Sequence, residues 1–190
     1  MNLAWPNRLT LLRLGLIPLL WWALVTPGPA ARWGSLLLFS LAAATDVLDG
    51  YIARRYGPIT TFGKIFDPLA DKVLVSAVFL AYIARQVLPA WWFLAVLFRE
   101  FAVSGLRIVA AANSVVLAAD VGGKLKTLLQ LVGLFALLLA DVPDAGATFP
   151  WLGAFAWWML YASVWAALLS GAGYFWRTRE LWWREGEKEA

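Results

Sequence analysis

Four aspartates in two close pairs are the residues of this sequence best suited to chemistry. Asp46 and Asp49 are three residues apart, and Asp67 and Asp71 are four apart. Both spacings place the two side chains of a pair on one face of a helix. Because the chain has no histidine and no cysteine, a metal ion would be held by oxygen, which favours Mg²⁺ or Mn²⁺. The same absence excludes zinc held by imidazole or thiolate, and triads of serine and histidine.

Small residues lie among these aspartates. Gly50, Ala53 and Gly63 leave room for the close approach of a flat group or of a backbone. A cluster of salt bridges with Arg54 and other basic neighbours is the alternative interpretation, but it gives the small residues no role. Two divalent ions would balance four carboxylates and still attract phosphate oxygens. We therefore predict that the ions bridge the aspartates to a pyrophosphate group.

The elements that position these residues are apolar. The chain has 190 residues, of which 62% are hydrophobic and 15% charged, against about half and about a quarter in soluble domains. A helix needs roughly 20 residues to cross a bilayer, and six segments approach that length. They are Leu9–Val25, Trp33–Ala53, Pro68–Val87, Pro89–Ala112, Leu125–Ala140 and Trp151–Tyr174. We predict an all-α integral membrane protein with six transmembrane helices, a short interfacial helix within residues 1–12, and a single domain over residues 1–190.

The basic residues predict the orientation. With both termini cytoplasmic, all but two of the 16 Lys and Arg residues fall on the cytoplasmic side, the exceptions being Arg32 and Arg85. The aspartates then lie at the cytoplasmic face, where Pro68 would open a helix with Asp67 as its N-cap. Six tryptophans at the predicted outer helix ends form an aromatic belt. They are Trp21, Trp22, Trp33, Trp91, Trp92 and Trp151.

A second group of charged residues is basic. It consists of Arg99, Arg107, Lys124 and Lys126. Arg99 lies within an apolar segment, where an ionisable side chain indicates function, and the adjacent Glu100 is predicted to point elsewhere on the helix. Ordinary enrichment of basic residues on the cytoplasmic side is the alternative. The functional interpretation is a pocket for an acceptor that itself carries phosphate.

The aspartate pattern also resembles a known signature. Asp46-x-x-Asp49-Gly50-x-x-Ala53-Arg54, then Gly63-x-x-x-Asp67-x-x-x-Asp71, resembles that of the CDP-alcohol phosphotransferase family at every defined position. The resemblance implies transfer of a phosphatidyl or similar group from a CDP-linked lipid to an alcohol, with release of CMP. The six-helix prediction fits the same family.

The resemblance implies a role for each residue that matches the signature. Asp46, Asp49 and Asp67 would be the principal ligands of Mg²⁺ or Mn²⁺, as two ions, and Asp71 would be a further ligand and the general base. The opening Pro6-Asn-Arg-Leu-Thr10-Leu-Leu-Arg13 is similar to the family's N-terminal pattern, whose polar residues approach the lipid diphosphate. The implied CDP-binding residues are Asn7, Thr10, Asp49, Gly50, Ala53, Arg54 and Gly63.

The basic group narrows the choice of acceptor alcohol. Arg99-Glu-Phe, Gly105-Leu-Arg107 and Gly123-Lys-Leu-Lys-Thr127, with Gln130, are similar to the branch of the family that forms phosphatidylglycerophosphate. This implies CDP-diacylglycerol as donor and sn-glycerol 3-phosphate as acceptor. It also implies a homodimer among the lipids of a bacterial inner membrane, with a cytoplasmic active site and no nucleic-acid partner.

Other functions remain open at this point. Another member of the same family would use inositol phosphate, serine or a phospholipid as its acceptor. A divalent-cation transporter with an aspartate site in the membrane would move metal without releasing CMP, but it gives Gly50, Ala53 and Gly63 no role. A purely structural membrane scaffold would tolerate the loss of Asp71.

Overall fold

The chain is helical wherever its regular secondary structure is described. The computed structural model describes the backbone of residues 5–56, 61–113, 115 and 121–179, and the side chains of residues 9–46, 63, 66–113, 115 and 121–179. These residues form seven α-helices and no strand, which confirms the all-α prediction. The helices are α1 (Trp5–Val25), α2 (Pro29–Tyr56), α3 (Thr61–Ala84), α4 (Ala90–Ala112), α5 (Val121–Asp141), α6 (Pro143–Thr148) and α7 (Leu152–Arg177).

The six long helices correspond to the six apolar segments of the sequence. Among the described residues, α5 and α7 are long and apolar enough to cross a bilayer, and the apolar part of α1, Leu9–Val25, is shorter. Large apolar side chains such as Trp22, Phe98 and Ile108 are exposed. Exposed apolar surface on this scale is stable against lipid rather than water. These are the features of a membrane protein.

The start of α1 differs from the prediction. Residues 5–12 do not form a separate interfacial helix, because α1 runs without a break from Trp5 to Val25. Pro6 lies in the first turn, where its missing N–H is not needed, and the next helix-weakening residue is Gly15. No residue between them ends the helix.

The start of α3 also differs. The helix begins at Thr61, so Asp67 is not its N-cap and Pro68 lies inside it. The proline removes one backbone hydrogen bond, a loss that helices packed among neighbours in membranes tolerate. α3 packs against α1, and it includes residues 61–67, which precede the proline.

The aromatic belt has one exception. Trp21, Trp22, Trp33, Trp91 and Trp151 are exposed. Trp92, by contrast, is only 1% exposed, and its ring centroid lies 5.6 Å from that of Tyr161. The prediction for Trp92 is wrong because consecutive residues point about 100° apart on a helix, so its neighbour faces outward while Trp92 faces the core.

The chain divides into two compact units. Unit 1 comprises Met1–Leu88 and Gly133–Trp157, and in it α1 packs against α2 and α3. Its fully buried residues include Leu20, Phe39, Val78, Phe79 and Leu138. Unit 2 comprises Pro89–Val132 and Trp158–Ala190. Its buried residues include Trp92, Val103, Leu106, Leu160 and Val164.

A charged cluster in unit 1 joins three helix ends. Arg32 Nη1 lies 2.7 Å from Asp141 Oδ2, and Arg85 donates two hydrogen bonds to the same carboxylate, at 2.6 and 2.7 Å. The Tyr82 hydroxyl lies 3.2 Å from Asp141 Oδ2. Along α2, Arg32 precedes Asp46 by 14 residues, or about 21 Å at 1.5 Å per residue. The two arginines that the sequence separates from the other basic residues therefore meet at the opposite end of α2 from Asp46.

Candidate active site

One face of α1 carries two polar side chains that reach aspartates on two other helices. Thr10 and Arg13 are three residues apart and fully buried. Arg13 Nη1 lies 2.6 Å from Asp46 Oδ1 on α2, and the Thr10 hydroxyl donates a hydrogen bond to Asp67 on α3. Since one turn of α1 contacts both carboxylates, Asp46 and Asp67 lie near the same short stretch of helix.

The other two aspartates flank this contact. Asp71 lies one turn after Asp67 on α3 and is half-buried. Asp49 lies on α2, three residues after Asp46, and its side chain is outside the described residues. Thus the structure brings Asp46 and Asp67 to α1, while the position of the Asp49 carboxylate stays a prediction.

Most of the predicted CDP contacts are located by their backbone only. Gly63, in the first turn of α3, is buried. Asn7 lies in the first turn of α1, and Gly50, Ala53 and Arg54 lie in the last turns of α2. The side chains of these four residues are outside the described part of the chain. Their contacts with CDP stay predictions.

The donor set fits a hard divalent cation. Aspartate oxygens are suitable ligands for Mg²⁺ or Mn²⁺, and no softer histidine or cysteine ligand exists in the chain. Within the part of the chain whose side chains are described, no three acidic residues are grouped closely enough to hold a metal ion. Asp49 lies outside that part. By donor chemistry, Asp46, Asp49, Asp67 and Asp71 are the residues that would hold the ions.

In unit 2, two of the predicted acceptor-phosphate residues share one carboxylate. Glu100 Oε1 lies 3.0 Å from Arg99 Nη1 on its own helix and 2.5 Å from Lys126 Nζ on α5. The prediction that Glu100 points away from Arg99 is wrong, because both side chains are long enough to bend toward each other and Lys126 draws Glu100 inward. Arg99 and Lys126 are buried, and the three side chains together carry one net positive charge.

Two donors at this cluster lack an acceptor. In the described part of the chain, Arg99 Nε and Gln130 Nε2 are buried without a hydrogen-bond partner. Gln130 lies one turn beyond Lys126 on α5, on the same face. Buried polar groups in proteins are nearly always paired, so each of these donors is suited to an oxygen atom of a ligand.

Arg107 joins the cluster through a tyrosine on α7. Arg107 Nη2 donates a 2.9 Å hydrogen bond to the Tyr174 hydroxyl, while Arg99 Nη2 lies 2.8 Å from Ser170 Oγ. Lys124 is exposed and, two residues before Lys126, points to another face of α5. Of the four predicted phosphate-binding residues, the structure therefore groups Arg99, Arg107 and Lys126.

Sequence reasoning missed three contributors here. Ser170, Tyr174 and the inward-facing Glu100 all contact the predicted arginines. The sequence does indicate Ser170 and Tyr174, because polar groups four residues apart near the end of an apolar helix lie on one face and indicate a shared partner. No sequence signal distinguishes the orientation of Glu100.

Comparison with known proteins gives a consistent result. A sequence model described as CDP-alcohol phosphatidyltransferase matches residues 3–175. The chain is 39% identical to the CDP-diacylglycerol–glycerol-3-phosphate 3-phosphatidyltransferase of Bacillus subtilis (strain 168), over 90% of this chain and 92% of that protein. It is 36% identical to the protein of the same name from Rickettsia bellii (strain RML369-C), again over 90% and 92%. The resemblance carried by the aspartate signature is thereby confirmed: the chain belongs to the CDP-alcohol phosphatidyltransferase family.

Proposed function

We propose that this protein transfers the phosphatidyl group of CDP-diacylglycerol to sn-glycerol 3-phosphate, forming phosphatidylglycerophosphate and CMP. The observation that carries the proposal is the 39% identity, over 90% of the chain, to a relative named for this reaction. A grouped set of basic side chains in unit 2 supports the choice of a phosphorylated acceptor.

The reaction exchanges one phosphorus–oxygen bond for another. The 1-hydroxyl oxygen of glycerol 3-phosphate attacks the β-phosphorus of the donor, and the bond from that phosphorus to the bridging oxygen of CMP breaks. CMP leaves with the bridging oxygen, and Asp71 accepts the hydroxyl proton as general base. Phosphoryl transfer requires positioning and charge neutralisation more than covalent catalysis. The chain therefore needs no nucleophile of its own.

The four aspartates share the role of metal ligands in this proposal. Asp46, Asp49 and Asp67, with Asp71, would hold Mg²⁺ or Mn²⁺, which would neutralise charge on the diphosphate and polarise the β-phosphate. Thr10 and Arg13 support this arrangement by fixing Asp67 and Asp46 against α1.

The basic cluster favours an acceptor that carries phosphate. Arg99, Arg107 and Lys126 outnumber the single carboxylate of Glu100, and the unpartnered donors on Arg99 and Gln130 match phosphate or hydroxyl oxygens. Charge-assisted hydrogen bonds are about twice as strong as neutral ones. An uncharged acceptor would leave most of this cluster without a role.

The test is a panel of acceptors with the purified protein. CDP-diacylglycerol is supplied with glycerol 3-phosphate, inositol phosphate, serine or glycerol, and the CMP released is measured with Mg²⁺, with Mn²⁺ and with excess chelator. We expect CMP release with glycerol 3-phosphate that is lost in chelator. Preference for another acceptor would refute the proposed substrate, and full activity in chelator would refute the metal mechanism.

We further propose six membrane spans with the termini and the active site in the cytoplasm, and a homodimeric assembly. The absence of native cysteine makes single-cysteine labelling clean. A membrane-impermeant thiol reagent should label Ala30→Cys in cells whose outer face is accessible, and Asn113→Cys only after lysis. The reverse pattern would show the opposite topology.

Light scattering in detergent, corrected for the bound detergent, should give twice the mass of one chain, and a single-chain mass would refute the dimer.

A further inference from the structure

Tyr174 on α7 lies between two of the predicted phosphate-binding residues. Its side chain is 3% exposed and packs in a buried cluster with Val103 and Leu106 of α4. The guanidinium carbons of Arg107 and Arg99 lie 5.4 and 5.9 Å from the centre of its ring. Both distances are within the range of a cation–π contact, and Arg107 also donates its hydrogen bond to the Tyr174 hydroxyl.

One turn earlier, α7 holds Arg99 directly. Arg99 Nη2 lies 2.8 Å from Ser170 Oγ, and the residue next to Ser170 is Gly171. A Cβ atom at Gly171 would lie 3.0 Å from Arg99 Cγ, and one at Gly123 on α5 would lie 3.1 Å from Arg99 Nη2. The Arg99 side chain thus occupies a slot that two glycines keep open.

The tyrosine is the buried partner and the arginine the exposed one. Arg107 is exposed, whereas the Tyr174 ring is held by its apolar neighbours. A free arginine side chain loses about 2 kcal/mol of rotamer entropy when it is immobilised. A partner that restricts the guanidinium before the ligand arrives reduces that cost at binding.

We propose that Tyr174, assisted by Ser170, is a positioning residue for the acceptor: it holds Arg107 and Arg99 in the orientation that receives the acceptor's phosphate. The inference rests on the proposed function, because it assumes an acceptor with a phosphate group. Tyr174 acts through the arginines and does not itself take part in proton or phosphoryl transfer. Its loss should therefore weaken acceptor binding and leave donor binding and turnover unchanged.

The first experiment compares Tyr174→Phe with wild type in CMP release. We expect the KM for glycerol 3-phosphate to rise about 3- to 10-fold, the range for one lost hydrogen bond, with kcat and the KM for CDP-diacylglycerol within about twofold of wild type. Ser170→Ala should behave in the same direction. Tyr161→Phe, on the same helix but packed against Trp92, is the matched control and should leave all three parameters unchanged.

A double-mutant cycle then separates positioning from general damage. In the Arg107→Ala background, Tyr174→Phe should raise the acceptor KM by less than about twofold, because the guanidinium that the tyrosine hydroxyl holds is gone. An equal effect in both backgrounds, or a fall in kcat with an unchanged acceptor KM, would overturn the inference. If wild type itself releases no CMP with glycerol 3-phosphate, the proposed function fails first, and the inference with it. Normal wild-type activity with an unchanged Tyr174→Phe enzyme refutes the inference alone.

Discussion

Replacing Thr10 by valine isolates one hydroxyl at the acidic site. Thr10 is fully buried on α1, and its hydroxyl donates a hydrogen bond to the Asp67 carboxylate. Valine has nearly the same shape but puts a methyl group where the donor stood. Asp67 then loses a hydrogen bond that orients its carboxylate.

The size of the effect follows from this contact. A hydrogen bond to a charged group contributes about 1.5–3 kcal/mol, which corresponds to roughly 10- to 150-fold in an equilibrium constant. Loss of a group that orients a metal ligand typically lowers metal affinity or activity by about 10- to 100-fold. We therefore expect Thr10→Val to weaken divalent-ion binding by about 10- to 100-fold.

Two measurements test this prediction. Electron paramagnetic resonance of free Mn²⁺ gives the affinity of the purified protein for the ion, and the Mg²⁺ dependence of CMP release gives the concentration needed for activity. Thr10→Ser, which keeps the hydroxyl, is the control and should stay near wild type. Wild-type Mn²⁺ affinity in Thr10→Val would refute the reasoning. A raised KM for CDP-diacylglycerol with unchanged Mn²⁺ affinity would instead favour the nucleotide contact that the family resemblance implies.

Three further substitutions test other parts of the structure. Asp71→Asn should lower turnover by a factor of roughly 10² or more, as for a lost general base, and near-normal CMP release would remove Asp71 from that role. Asp141→Asn should lower the free energy of unfolding by about 2 kcal/mol, between the values for exposed and buried ion pairs; a thermal melt in detergent identical to wild type would contradict it. Gly146→Ala should destabilise by about 1–3 kcal/mol, since its Cβ would lie 2.4 Å from the Ala140 carbonyl oxygen. Gly153→Ala, with no atom near its Cβ, is the control, and equal melting of the two variants would refute the steric argument.

The sequence predicts the long helices well because each is a long apolar stretch. It places their ends less well where a polar stretch continues the helix. α2 extends to Tyr56, past its charged segment, and α3 begins at Thr61, two turns before Pro68. A proline marks a position where a helix is able to start, but it does not require the helix to start there, and α3 begins before Pro68.

The candidate site shows the same division. Residue type and spacing single out Asp46, Asp67 and Arg99 as candidates, because a charge within or beside an apolar segment indicates a function. The side chains that contact these residues cannot be predicted from the sequence in this way. Thr10 on α1 contacts Asp67 on α3, and Glu100 contacts the adjacent Arg99. Only the folded structure determines these distances.

Three arginine contacts in this protein share one physical requirement. Arg13 contacts Asp46, Arg99 contacts Glu100, and the Arg32–Arg85 pair meets Asp141. In surroundings of low dielectric an unpaired charge costs far more than in water, so each cation is held against a carboxylate in the folded chain. At the Asp141 cluster the pairing serves stability. If Asp46 binds metal ions and the cluster around Glu100 binds phosphate, as proposed, each ligand would compete with an internal partner of the same charge sign, Arg13 or Glu100. On that proposal the internal ion pairs would hold the charged residues in place before substrate arrives, at the cost of part of the binding energy. Thr10, Tyr174 and Gly171 lie beside these charged side chains and carry no charge, so they constrain a charged side chain without neutralising it.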